Sequence, residues 1–168
     1  LYMDLNIADI RKDYKKNELS LKTILSDPFK QFEKWLQEAI DAKVEEPTAM
    51  ILGTVSPEGR PSTRTVLLKG LENHEFIFYT NYNSRKGQHL KANPFACLTF
   101  FWPALERQVH VEGDVKPVDT AISDQYFQSR PYKSRLGARI SPQSQVISSR
   151  NDIKVAFAAE AAKFIGRE

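Results

Sequence analysis

Apolar residues recur along this chain with two different periods. Phe29, Phe32, Leu36, Ala39 and Ile40 repeat at helical spacing directly behind Asp27-Pro28. Asp suits an N-cap and Pro the first helical position, so a helix starts there, and Glu45-Glu46-Pro47 ends it. From Thr48 the period shortens. Ala49 to Val55 is a short apolar run, Ser62 to Lys69 is rich in β-branched residues, and Glu75 to Thr80 reads as a third strand. Ser56-Pro57-Glu58-Gly59 and Glu72-Asn73-His74 supply the turns between them. Ser84 caps a short helix running to about Ala92, and Asn93-Pro94 stops it. Phe95 to Trp102 is a strand so apolar that both of its faces call for cover. Pro103 to Leu105 turns the chain into a long strand, Arg107 to Val118, with Gly113 inside it as a bulge or bend. Such bends help a sheet curl into a barrel. Asp119 caps a helix bearing Ile122, Tyr126 and Phe127, which Arg130-Pro131 ends. Residues 132–150 read as polar and irregular, and Ile153, Phe157, Ala161 and Phe164 mark a last helix. The order is a helix, about five strands with one helical insert, then helices. Without βαβ alternation, the expectation is an α+β fold on antiparallel strands, not a parallel nucleotide-binding sheet.

Composition narrows the class. The 168 residues suit one domain, 1–168, and at 41% hydrophobic and 27% charged the chain is ordinary globular protein. No apolar run is long enough to cross a bilayer, no secretory signal is visible, and Cys97 has no second cysteine to pair with. A soluble, cytoplasmic protein is expected. Residues 4–25 mix charge with scattered Leu and Ile and read as an N-terminal arm or solvated helix over 1–25. The sequence starts at Leu1 without an initiator Met and stops at Glu168 behind an apolar helical pattern, so a trimmed or longer chain is expected. The net charge of +3 is too dilute for the basic stripe of a duplex-binding protein, and no nucleic-acid partner is expected.

Several chemistries are excluded by what is missing. His74, His89 and His110 lie far apart, no paired Cys/His spacing exists, and neither a nucleophile elbow nor a P-loop occurs. Cys97, between apolar residues in mid-strand, reads as a core thiol. What remains is cationic. Arg64 and Lys69 bracket a strand and, five apart, face opposite sides and serve neighbouring sites. Arg85 and Lys86 follow Ser84 at a helix start, where backbone N–H groups and the helix dipole favour an anion. Tyr126 and Arg130 share a helix face, with Lys133, Ser134 and Arg135 just beyond. By residue type alone, each cluster also fits a solvated helix surface. Gln108 and Gln143-Ser144 add neutral hydrogen-bonding groups. Two anion sites without an acid–base constellation point to a cofactor that carries the reaction.

At these residues the chain resembles the pyridoxamine 5'-phosphate oxidase family, over most of its length from about Asp9 to Phe164. The resemblance rests on Asp27-Pro28 with Phe32 and Trp35, Glu46-Pro47-Thr48-Ala49-Met50, and Arg64 with Val66-Leu67-Leu68-Lys69. It continues through Phe78-Tyr79-Thr80-Asn81, Ser84-Arg85-Lys86, Leu105-Glu106-Arg107-Gln108-Val109, Tyr126-Phe127, Ser129-Arg130-Pro131 and Gln143-Ser144. It implies an FMN-binding split β-barrel of antiparallel Greek-key type with flanking helices, built as a homodimer with FMN in the subunit interface. By the same resemblance Arg64, Thr65, Val66, Leu67, Leu68, Lys69, Tyr79, Thr80, Arg85, Lys86, Gln108, Gln143 and Ser144 hold FMN. Arg85 and Lys86 meet its phosphate. Lys69, Tyr126, Arg130 and Ser134 hold the substrate phosphate, and Arg11, Lys12, Asp13 and Tyr14 match a segment that folds over the substrate.

The implied reaction oxidises pyridoxamine or pyridoxine 5'-phosphate to pyridoxal 5'-phosphate and reduces oxygen to hydrogen peroxide. Family members continue with a Trp-Gly-Gly segment and an Arg-Leu-His-Asp-Arg segment, which supply further FMN contacts and groups beside the substrate ring. Neither segment occurs in these 168 residues. Two other readings stand beside the oxidase: a phenazine-pathway flavin oxidase on the same barrel, and a flavin- or pyridoxal-phosphate-binding module without turnover.

Overall fold

A computed structural model describes residues 9, 11, 13–16 and 19–164. The chain divides into two compact units, Leu1–Pro47 with Phe100–Val109, and Thr48–Thr99 with His110–Glu168.

The first unit is built on helix α1, Pro28–Asp41. Asp27 is its N-cap, and the carboxylate accepts from the backbone N–H of Phe29 and Lys30. The helix stops at Asp41, a turn earlier than the acidic pair implied, because Lys43 and Glu46 take left-handed backbone angles. Phe32 and Ala39 form its buried stripe. The Phe32 ring lies 4.8 Å from Phe100 and 6.1 Å from Trp102, in tilted geometries that favour aromatic pairs. The Trp102 indole N–H donates to the Pro47 carbonyl at 2.9 Å, so this buried ring keeps its one polar atom satisfied. Beside them Arg107 pairs with Glu38 at 2.5 Å and lies over the Trp35 ring. The Glu106 carboxylate accepts from the backbone N–H of both Lys15 and Lys16, which ties the arm to the turn Pro103–Leu105.

The second unit carries β1, Ala49–Val55, and β2, Pro61–Leu67, paired antiparallel from Ala49↔Leu67 to Val55↔Pro61. Strand β5, Phe95–Trp102, pairs antiparallel with β1, and β6, Arg107–Asp114, follows it, giving the sheet order β2-β1-β5-β6. Of these strands, the end of β5 from Phe100 and the start of β6 to Val109 are counted with the first unit. Met50, Leu52 and Thr54 alternate inward along β1, and Leu98 joins them from β5. Phe95 and Phe101 on β5 stay 60% and 61% exposed, so only one face of this strand is covered within the chain.

At the end of β2 the chain changes sheets. Leu68 N–H donates to Thr48 O beside β1, while Lys69 N–H donates to Ile77 O on the other side. Successive strand N–H groups point opposite ways, so one step hands the chain from the first ladder to a second. That second ladder is the short pair β3, Gly70–Glu72, and β4, Glu75–Ile77. The expected barrel is therefore not closed: among the described residues the strands form one four-stranded and one two-stranded sheet. Closure fails because β4 ends at Ile77, short of the expected Thr80, and pairs only with β3.

Helix α2, Arg85–Ala92, follows Ser84, and α3, Thr120–Ser129, follows Asp119, both capped by those side chains. A helix also occupies Tyr132–Ile140, α4, where the sequence reads as irregular. Its one buried apolar side chain is Leu136, too little to mark a helical period. Support comes from α5, Arg150–Lys163, which begins in a Ser149–Asp152 capping box and holds Arg139 of α4 through Glu160 at 2.8 Å.

Two substitutions test this account by urea denaturation. Asp27→Ala should cost about 1 kcal/mol, one lost N-cap. Phe100→Ala should cost about 3–5 kcal/mol, because its buried ring anchors the first unit. An Asp27→Ala midpoint equal to the parent's would mean the cap does not hold α1.

Candidate anion and cofactor site

The site lies in the second unit, where β2 meets the start of α2. Period two places Ser62 and Arg64 on one side of β2. The Arg64 guanidinium is tied down on that side: one terminal nitrogen donates to Leu52 O at 3.1 Å and to Thr54 Oγ1 at 2.7 Å, the other to Ser62 Oγ at 2.6 Å. Ser84, fully buried, anchors α2 twice. Its hydroxyl donates to Asn81 O at 2.6 Å and accepts from Gly87 N–H. The loop Asn81–Asn83 is packed so tightly under this first turn that a Cβ on Gly87 would overlap the carbonyls of Tyr82 and Asn81. Only glycine lets the helix start sit this low.

Two hollows open here. The first, about 250 Å³, is lined by Ser62, Thr63, Arg64, Arg85, Lys86 and Ser144. The second, about 210 Å³, is lined by Thr65, Val66, Leu67 and Lys69 from the end of β2, Tyr79, Thr80 and Lys86, and Tyr126 and Gln143. Lys86 lines both. It is 9% exposed, and its ammonium donates to Gln143 Oε1 at 2.7 Å and to Ser84 Oγ at 3.3 Å. Burial, and then the Arg64 charge, push its pKa below the usual lysine value. Burial, and then Arg85, act on Arg64 in the same direction. None of Arg64, Arg85 and Lys86 has a carboxylate partner among the described residues. Three crowded cations with no internal counter-charge make this a site for an anion.

The second hollow has a different character. The Tyr79 and Tyr126 rings stack at 3.6 Å with planes 4° apart. Burial first, then Tyr126 and Glu72, raise the Tyr79 phenol, which stays protonated. Thr80 Oγ1 is buried without a hydrogen-bond partner and lies on the lining. Flat walls, apolar Val66 and Leu67, one neutral amide and an unsatisfied hydroxyl suit a planar heteroaromatic ring. The two hollows together offer cationic groups at one end and a flat, largely neutral lining at the other.

The structure brings most of the sequence-derived candidates together. Arg64, Thr65, Val66, Leu67, Lys69, Tyr79, Thr80, Arg85, Lys86, Tyr126, Gln143 and Ser144 all line one hollow or the other, with Arg64 and Lys69 in different ones. Leu68 does not: its side chain is core, 5% exposed. Arg130 caps the end of α3, and Ser134 is exposed on α4; neither is on the lining. Gln108 is an exposed residue of β6 in the first unit. Arg11, Asp13 and Tyr14 also belong to the first unit, and Lys12 lies outside the described residues. Cys97 is half-buried in mid-strand against Gly53. Sequence reading missed Ser62 and Thr63, although period two already set Ser62 beside Arg64. It also missed Thr54 and His89, whose side chains meet at 3.1 Å from positions 35 residues apart.

An antiparallel sheet flanked by helices, with a cationic hollow beside one walled by aromatic rings, has the form of a small-molecule-binding protein. Comparison with known proteins gives the family. The family model described as pyridoxamine 5'-phosphate oxidase matches residues 36–163. The pyridoxine/pyridoxamine 5'-phosphate oxidase of Bacteroides thetaiotaomicron is 62% identical over 163 residues, 97% of this chain and 76% of its own length. Among solved structures, PhzG from Burkholderia lata, in complex with tetrahydrophenazine-1-carboxylic acid, matches with a TM-score of 0.80 at 26% identity, covering 84% of this chain and 70% of that one. A pyridoxamine 5'-phosphate oxidase-related, FMN-binding protein from Nostoc punctiforme shares the fold, with a TM-score of 0.61 at 21% identity over 78% of this chain and 73% of its own. The chain belongs to the pyridoxamine 5'-phosphate oxidase family.

The crowding of cations generates a prediction with opposite signs in two measurements. A base whose pKa is lowered by folding destabilises the fold while it is charged, so Lys86→Met should raise the urea midpoint of the ligand-free protein. The same change should weaken phosphate and flavin binding about tenfold or more, one charge-assisted hydrogen bond. A lower midpoint would mean that Lys86 supports the fold.

Proposed function

We propose that this protein is a pyridoxine/pyridoxamine 5'-phosphate oxidase that binds FMN and oxidises pyridoxamine or pyridoxine 5'-phosphate to pyridoxal 5'-phosphate. The observation that carries the reading is the cluster Arg64, Arg85 and Lys86, without a counter-ion among the described residues, joined through Lys86 to a hollow walled by Tyr79 and Tyr126. The 62% identity to the Bacteroides enzyme supports the substrate, and the fold shared with an FMN-binding protein supports the cofactor.

In this reading Arg64, Arg85, Lys86 and Ser144 take the FMN phosphate. Thr65 to Lys69, with Tyr79, Thr80, Gln108 and Gln143, hold the rest of the cofactor. Leu68 contributes by setting the backbone of that strand end, since its side chain is core. Lys69, Tyr126, Arg130 and Ser134 take the substrate phosphate, and Arg11 to Tyr14 fold over the substrate. When bound, the flavin would supply the two-electron oxidation of the substrate's exocyclic carbon, with oxygen reduced to hydrogen peroxide. The alcohol of pyridoxine 5'-phosphate goes directly to the aldehyde, and the amine of pyridoxamine 5'-phosphate goes to an imine that water hydrolyses to the aldehyde and ammonia. The protein's own work is to neutralise two phosphates and hold two rings in register.

The full assembly is proposed as a split-barrel homodimer with FMN at the subunit interface. The apolar side chains Ile51, Phe95 and Phe101, 41%, 60% and 61% exposed, support it as surface that a second copy would cover. Sedimentation of the flavin-loaded protein reads this directly; a monomer that keeps its flavin would sink it. A cytoplasmic location is proposed with it, and no helix among the described residues is long and apolar enough to cross a membrane.

An anaerobic visible spectrum tests the activity. The protein loaded with FMN should bleach on addition of pyridoxamine 5'-phosphate and recover its colour in air with release of hydrogen peroxide. A flavin that stays oxidised with this substrate but bleaches with a reduced phenazine would move the assignment to the phenazine pathway. Arg130→Ala should raise KM for pyridoxamine 5'-phosphate by about tenfold or more, the loss of a charge-assisted phosphate contact, with a smaller change in kcat. An unchanged KM would remove Arg130 from the substrate site.

A further inference from the structure

Behind the cationic hollow lies a buried histidine that the oxidation does not use. His89 is 5% exposed on α2, one turn beyond Arg85. Its Nδ1 lies 3.1 Å from Thr54 Oγ1 and 3.5 Å from Ser62 Oγ. Those two hydroxyls are also the ones that accept from the Arg64 guanidinium, at 2.7 and 2.6 Å.

The direction of these hydrogen bonds follows from what each group can do. Arginine only donates, so both hydroxyl oxygens act as acceptors toward Arg64, and each hydroxyl hydrogen must point elsewhere. For Thr54 the other recorded partner among the described residues is His89 Nδ1. An imidazole carrying its proton on Nε2 accepts there and lets the Thr54 hydroxyl turn its lone pairs to Arg64. A proton on Nδ1 would take the second lone pair of the Thr54 oxygen and leave the hydroxyl hydrogen without a recorded acceptor among the described residues. The charged groups around the ring act in the same sense. Burial first, then Arg85 from the same helix and Arg64 from β2, lower the His89 pKa, and Glu58 in the β1–β2 turn opposes them. The ring is therefore held neutral, with one bare nitrogen, and the hydroxyls of Thr54 and Ser62 beside Nδ1 favour that nitrogen as the acceptor.

We propose that His89 is a positioning residue for the anion site: as a hydrogen-bond acceptor it orients the Thr54 hydroxyl, and with it fixes the Arg64 guanidinium at the rim of the cationic hollow. Ser62 braces the other arm of the same guanidinium. The inference rests on the reading of that hollow as the FMN-phosphate site, and it adds a residue that makes no lining contact there.

Two measurements decide it. Nitrogen-15 NMR of the ligand-free protein should show His89 neutral, with Nδ1 unprotonated and Nε2 carrying the hydrogen; a protonated Nδ1 overturns the proposal whether or not FMN binds. Titration of FMN by quenching of its fluorescence supplies the second. His89→Leu keeps bulk but removes the acceptor and should raise Kd about tenfold, one hydrogen bond's effect on a charged partner. His89→Asn returns an acceptor oxygen near the Nδ1 position and should bring Kd back to within about twofold of the parent. In an Arg64→Met background, His89→Leu should change Kd no further. If His89→Leu binds like the parent, if Asn fails to rescue, or if the loss persists without Arg64, His89 does not act through Arg64. If instead Arg64→Met alone leaves FMN affinity unchanged, the phosphate-site reading itself fails, and the tautomer measurement still judges the hydrogen-bond chain.

Discussion

Arg64, Arg85 and Lys86 repel one another, and no carboxylate among the described residues neutralises them. Left to itself, such a cluster would spread into water, since each ammonium or guanidinium gains more from hydration than from a like-charged neighbour. Two of its members are held by hydrogen bonds that they donate to neutral groups. Leu52 O, Thr54 and Ser62 fix Arg64, while Gln143 and Ser84 fix Lys86. Neutral acceptors hold a cation in place without cancelling its charge, so the field of the cluster is kept for a ligand.

The surrounding fold serves that arrangement. Antiparallel pairing of β1 and β2 sets Leu52 directly across from Arg64, which puts the acceptors at the right height. The Ser84 cap and the space left by Gly87 let α2 begin low over the Asn81–Asn83 loop, and so deliver Arg85 and Lys86 to the strand. One residue past β2, the switch of hydrogen bonding between Leu68 and Lys69 turns the strand end into the wall of the second hollow. The anion end and the ring end of the site are thus consecutive stretches of one strand, and Lys86 borders both. Such preorganisation carries a stability cost in the ligand-free protein, a common trade at binding sites.

Much of this was legible in the residues. The helix behind Asp27-Pro28, the strand Ala49–Val55 and the short helix behind Ser84 all follow from local signals, because capping and period act within a few residues. The same local grounds placed Arg85 and Lys86 at a helix start. Other features were hidden for equally physical reasons. Helix α4 has little apolar period and depends on α5 for support. Phe95 to Trp102 reads as covered on both faces, yet within the chain one face of β5 stays open.

The sequence by itself determined the elements that rest on near neighbours along the chain, the cationic residue types, and the family to which they belong. Tertiary structure decided what those elements do together. The meeting of Thr54 with His89, of Lys86 with Gln143 and of Tyr79 with Tyr126 joins positions dozens of residues apart, and side-chain type carries no record of such distances. The same holds for Leu68, whose place in the core is set by the corner at which the strand changes sheets. Whether the strands close into a barrel was likewise a matter of which edges find partners, a long-range outcome that periodicity along a single strand does not encode.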